Sequence, residues 1–177
     1  QVWNLVADIG GTNARFSAIL DGELESKFQF LHSVDEYPEF ENLIEILLEE
    51  INEATGWTSP PSRVCFAVAC PPDTETISFT NSHWTFSQAE LKNLLGCDFL
   101  SIINDFEAVA HGITELSSDE FVQIGGGEAV HNKAIGILGA GTGLGVAAVA
   151  PHETGYVGVD GGLCSGHGQD PRVPGKI

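Results

Sequence analysis

Two stretches of this chain follow one plan, and that plan limits what the chain can fold into. "DIGGTNARFSAIL", residues 8–20, and "GAGTGLGVAAVA", residues 139–150, each set a glycine–threonine turn between two apolar runs. One such hairpin is common. Two of them, one in each half and each with Thr or Asn beside the glycines, predict two loops facing a single anionic ligand. Glycine lets backbone N–H groups approach phosphate oxygens, and Thr adds a hydroxyl donor.

The surrounding pattern is α/β. "NLVADIG", "ARFSAIL" and "SKFQFLH" are separated by Gly10-Gly11 and Asp21-Gly22, which predicts an antiparallel three-strand meander. From Tyr37 to Ala54 the apolar residues Phe40, Leu43, Ile44, Leu47, Leu48 and Ile51 recur in steps of 3, 1, 3, 1 and 3, an amphipathic helix. "SRVCFAVAC", after Pro60-Pro61, reads as a strand buried on both faces, stopped by Pro71-Pro72. "ISFTN" starts a small hairpin, and "SQAELKNLLG" carries a capping box (Ser87, Glu90) and a glycine stop at Gly96. "FLSIIND" is a further buried strand and "FEAVAHGI" a helix. Strands alternating with helices after a meander define an α/β layer with a mixed sheet. The pattern restarts near Ala134. This predicts an α/β domain over 1–110, a connecting helix and linker over 111–133, and the incomplete start of a second such domain over 134–177.

Composition narrows the partners. With 25 acidic against 7 basic side chains and a net charge of −18, the chain is unsuited to nucleic acid or an anionic membrane. A phosphate ligand then has to be held by local N–H groups and a metal. Much of the acid lies on the helix "EFENLIEILLEEINEA", as a solubilising face. Cys65, Cys70, Cys97 and Cys164 form no C-x-x-C pair, and Cys65 and Cys70 read as reduced core residues. No basic segment followed by an apolar one opens the chain, so the expectation is a cytoplasmic protein. The uncharged run from Ala134 to Pro151 is too glycine-rich for a membrane helix.

Competing motifs fail on context. There is no Walker A loop. Gly143, Gly145 and Ala148 fit G-x-G-x-x-A, yet "VAAVAP" follows as a strand, with no room for the helix a dinucleotide site requires. His152, His167 and Cys164 lack the further cysteines of a zinc cluster.

In order and spacing, "DIGGTNAR", "ACPP", "TNSHWTFS", "IINDFEAVA" and "GAGTGLGVA" resemble the bacterial-type glucokinases, ATP-dependent hexose kinases of the actin/hexokinase-like superfamily. The match runs from about Asn4 to about Ala150. The resemblance implies two ribonuclease-H-like α/β domains closing over glucose and ATP. It assigns Asp8, Gly10, Gly11, Thr12 and Asn13 to a first phosphate loop, with Asp8 orienting Mg²⁺ through water. It assigns Gly139, Gly141, Thr142 and Gly143 to a second. Asn81 and Asn104 become contacts to sugar hydroxyls, and Asp105 the general base. The chemistry asks for these types independently: a carboxylate accepts the hydroxyl proton, and Asn both donates and accepts. The residues alone leave Asp105 equally readable as a helix N-cap, Asn81 as a turn residue and Asn104 as a local cap. Trp84 reads as a packing residue, and His83 as structural or exposed.

The family continues with Glu-Gly-Gly-His. Here "VDGGLCSG" puts Asp160 in the acid's place, as a sugar contact, and Leu163 in the histidine's. The tail "GHGQDPRVPGKI" resembles neither family sequence nor a good helix. The expectation is a glucokinase truncated after its second phosphate loop, with weak or no turnover. The alternative is a non-catalytic relic that binds sugar or a partner. A homodimer stays open. The second hairpin is expected to leave one strand edge unpaired.

Overall fold

The computed structural model describes residues 1–23, 25–72, 74–79, 82–140, 144–153 and 155–158. It divides into two units, Gln1–Asp105 and the residues from Phe106 onward.

The first unit opens with the meander: β1 (Trp3–Ile9), β2 (Asn13–Leu20) and β3 (Phe28–Ser33), paired antiparallel. Side chains alternate across a strand, so Trp3, Leu5, Ala7 and Ile9 are all buried while Val6 and Asp8 face solvent. Next comes α1 (Phe40–Thr55), which buries Phe40, Leu43, Ile44, Leu47 and Ile51, the predicted stripe. Glu45, Glu49 and Glu53 stand exposed on its far side, which is the solubilising face expected of them. The helix starts three residues later than the apolar pattern suggested. A short 3₁₀ turn, Val34–Glu36, precedes an extended Tyr37, and Pro38 disfavours helical backbone in the residue before it.

Beyond α1 lie β4 (Arg63–Val68), the hairpin β5 (Thr76–Ser78) and β6 (Thr85–Ser87), then α2 (Gln88–Leu95) and β7 (Phe99–Asn104). β4 pairs parallel with β1, and β7 parallel with β4, giving the mixed sheet β3-β2-β1-β4-β7. The Ser87 hydroxyl accepts from the Glu90 N–H at 3.3 Å, as a capping box requires. Two further N–H groups of the first turn are satisfied from the preceding hairpin. Glu75 Oε1 accepts from the Ala89 N–H and the Ser87 hydroxyl, each at 2.9 Å, and the Glu75 carbonyl accepts from the Gln88 N–H. These bonds, the Ala89 N–H first, hold the Glu75 carboxyl below the usual carboxylate range.

The core between sheet and helices is strongly aromatic. Phe40 stacks on Phe86 at 4.7 Å and meets Phe66 edge-on at 6.1 Å. Trp84 is buried against Phe40 and Phe79, the packing role expected of it. Cys65, Cys70 and Cys97 are in no disulfide, and burial pushes the Cys97 thiol up.

The second unit contains most of α3 (Asp105–Ile113), then β8 (Ile135–Ala140), β9 (Leu144–His152) and β10 (Gly155–Gly158) in the sheet order β10-β9-β8. β8 and β9 form the predicted second hairpin. Among the described residues the outer edge of β8 is unpaired, as anticipated. Its buried core is small: Ala110, Ile137 and Val149. No helix among the described residues is long and apolar enough to cross a membrane.

Removing the α2 cap with Ser87→Ala is expected to cost about 1 kcal/mol in urea unfolding. Gly96→Ala is expected to destabilise as well, because Gly96 sits at φ 62° and an added Cβ would lie 3.3 Å from Pro60.

Candidate active site

Strand register determines which predicted residues share a location. β1, β4 and β7 run parallel, and their last residues fall in one row: Ile9 pairs with Val68, and Val68 with Asn104. The row before holds Asp8, Ala67 and Ile103. Asp8 and Asp105 therefore emerge at the same end of the sheet, with β4 between their strands, which lie two strand spacings, roughly 10 Å, apart. This is the carboxyl end, where open α/β sheets bind ligands. Asn104 closes β7, and Asp105 opens α3, where the helix dipole favours a carboxylate.

The first glycine turn is tied down on both sides. The Gly10 N–H donates to the Asn13 carbonyl, and the Val34 N–H donates to the Thr12 carbonyl, each at 2.9 Å. Gly11 and Thr12 form its apex. Opposite Asp8 in the β1–β2 register stands Arg15, with Nη1 3.4 Å from Asp8 Oδ2 and both side chains more than half exposed. An exposed pair of this kind adds at most about 1 kcal/mol of stability. It does place a guanidinium beside the first glycine turn. Arg15 was absent from the sequence-predicted site, although pairing Ile9 with Ala14 would have revealed it.

The second predicted loop is described only at Gly139. There the structure supplies a packing reason for glycine: the Phe106 ring, from α3, occupies the space that a Cβ on Gly139 or Gly145 would need. Gly141, Thr142, Gly143, Asn81 and Asp160 lie outside the described residues, as do Cys164 and His167. Among the described residues, no three His, Cys, Asp or Glu side chains gather as a metal cage.

His83 and Trp84, in the described part of the motif predicted to meet sugar, are fastened to Tyr37. The Tyr37 carbonyl accepts from the Trp84 indole N–H at 3.0 Å and lies 2.9 Å from His83 Nε2. The Tyr37 hydroxyl is 2.9 Å from Nδ1 of the buried His32. His32 Nε2 is 3.0 Å from Glu50 Oε2, close enough to pair but off the line of a hydrogen bond. Burial first, then the charges of Glu50 and Glu36, pushes the Tyr37 phenol above its ordinary range. An open groove of about 560 Å³ between β3 and α1 is lined by Gln29, Leu31, His32, Glu50 and Glu53, among others. None of these is a predicted site residue.

Sheet order and level parallel strand ends define an α/β unit with a mixed sheet, of the actin-like ATPase fold. A glucokinase structure from an Antarctic psychrotroph superposes with a TM-score of 0.76 at 30% identity, over 90% of this chain and 49% of that one. A ROK-family glucokinase from Streptomyces griseus, solved with glucose and AMPPNP, shares the fold at a TM-score of 0.54 and 18% identity, over 84% of this chain and 44% of that one. A glucokinase of Cronobacter sakazakii is 42% identical over 160 residues, 89% of this chain and 47% of the relative. A family profile described as Glucokinase matches residues 5–168, and the chain belongs to that family. It spans about half the length of the curated relatives it matches.

Gly145→Ala is expected to destabilise the second unit by about 1–3 kcal/mol through overpacking on Phe106. The readout is faster hydrogen exchange in β8 and β9, with Gly136→Ala, which meets nothing within 4 Å, as the neutral control. The Tyr37 phenol adds a pH dependence. Its folded-state pKa is raised from 10.0, so its contribution to stability is complete below pH 10 and is lost as pH rises through the folded value. The urea midpoint is expected to fall above pH 10, with a shallower fall in Tyr37→Phe.

Proposed function

We propose that this chain carries the catalytic-base half of an ATP-dependent glucokinase, which transfers the γ-phosphoryl group of ATP to the 6-hydroxyl of glucose. The observation that carries the reading is the register bringing Asp8 and Asp105 to one end of the sheet. Asp105 takes the proton from the attacking hydroxyl, which is the role phosphoryl transfer to a sugar requires of a carboxylate. Asn104, Asn81 and Asp160 hold the other hydroxyls. The N–H groups of Gly11 and Thr12 and the Thr12 hydroxyl meet phosphate oxygens, and Gly139, Gly141, Thr142 and Gly143 belong to the second phosphate loop.

The donors near Asp8 fit a hydrated Mg²⁺ carried by the nucleotide rather than a protein-built cage. One exposed carboxylate is present there, with no cluster of acids around it among the described residues. Bound there, the cation neutralises charge on the β- and γ-phosphates. Small anionic substrates held locally also suit a chain of net charge −18 better than nucleic acid or an anionic membrane does, and a cytoplasmic setting goes with that reading. A second reading is a sugar-binding chain without turnover.

The test is glucose 6-phosphate formation by the 177-residue chain with glucose, ATP and Mg²⁺. Turnover falling by about 10²–10⁴ in Asp105→Ala supports the kinase and assigns the base. No product from a folded chain that still binds glucose by calorimetry would replace the kinase with the sugar-binding reading.

A further inference from the structure

We infer that the segment from His32 to Tyr37 is a strut that sets the sugar motif against the phosphate turn, with His32 and Tyr37 as positioning residues for glucose. The inference rests on the sugar-kinase reading above. At one end the Val34 N–H holds the Thr12 carbonyl of the glycine turn at 2.9 Å. At the other, the Tyr37 carbonyl holds the Trp84 indole at 3.0 Å and lies 2.9 Å from His83 Nε2. Trp84 is fixed a second time, its backbone N–H donating to the Ser82 hydroxyl at 3.0 Å. The residues so fastened directly follow Asn81.

What aims the Tyr37 carbonyl is the Tyr37 side chain. Its hydroxyl is 2.9 Å from His32 Nδ1, the two rings meet edge-on at 5.6 Å, and His32 is only 8% exposed, with Nε2 toward Glu50 on α1. The next residue is Pro38, so the following peptide has no N–H and its carbonyl is the sole polar handle at that link. Loss of the hydroxyl leaves His32 Nδ1 without its partner and lets the carbonyl swing. The hydrogen bonds to His83 and Trp84 then loosen, and the sugar motif to which both residues belong loses its hold.

Two readouts test this on the full chain: hydrogen exchange of the Trp84 indole N–H by NMR, assigned with Trp84→Phe, and the glucose dissociation constant by calorimetry. Tyr37→Phe is expected to accelerate indole exchange and to weaken glucose binding about fivefold, the factor for one ordinary hydrogen bond. His32→Leu is expected to do the same, and His32→Asn, which returns a polar atom near Nδ1, to recover most of the loss. Leu31→Ala, exposed and outside the network, should change neither readout. A folded Tyr37→Phe with unchanged indole exchange overturns the strut. Faster exchange with unchanged glucose affinity overturns the positioning role. If the unmodified chain binds no glucose, the sugar-kinase reading falls, and indole exchange alone still decides whether the strut exists.

Discussion

Parallel pairing of β4 with β1 is the contact on which the sheet, its helices and the site all depend. A parallel partner cannot be reached by a tight turn, so the chain must cross the sheet, and α1 makes that crossing with its apolar stripe turned inward. The crossing is anchored where it lands: the Trp3 indole N–H donates to the Ser59 carbonyl at 2.8 Å, and the Ser62 N–H to the Trp3 carbonyl at the same distance. β7 then adds in the same direction, and three strand ends fall level. Slipping β4 by one residue would turn Phe66 out of the core and separate Asp8 from the row that leads to Asp105.

The elements readable from the sequence are those whose signal is local. Apolar runs between glycine turns gave the meander, the 3.6-residue period gave α1, and unbroken apolar runs gave β4 and β7, because burial on one or two faces imprints directly on residue order. The late start of α1 was less visible, since an apolar count does not register how Pro38 constrains Tyr37. The hairpin's share of the α2 cap was invisible for another reason. Glu75 comes from the preceding hairpin, and nothing in "SQAE" points to it. At the site, Asp8 and Asp105 were legible as a carboxylate at a glycine turn and one at a strand end. That they share an end, and that Arg15 stands opposite Asp8, are facts of register that no single stretch of sequence records.

Glycines in a phosphate-loop pattern answer to more than one demand. Gly139 belongs to the motif that reads as a ligand loop, yet the Phe106 ring already forbids a side chain there and at Gly145. Close packing of a helix on a hairpin and close approach of a phosphate impose the same residue type. The first turn differs, because a Cβ on Gly10 would meet the Asn13 carbonyl at 3.4 Å rather than an aromatic ring.

The 56 residues separating Trp3 from Ser59 also set a timetable for synthesis. While a ribosome extends the chain, the meander is complete long before β4 exists. At roughly 5–20 residues per second, β1 waits on the order of 3–12 s for its parallel neighbour. Through that interval one edge of β1 carries open hydrogen-bonding groups, and Leu5, Ile9 and Phe16 have no helix over them. The nascent chain therefore presents an open pairing edge during one definable window. That window closes when "RVCFAV" clears the exit tunnel.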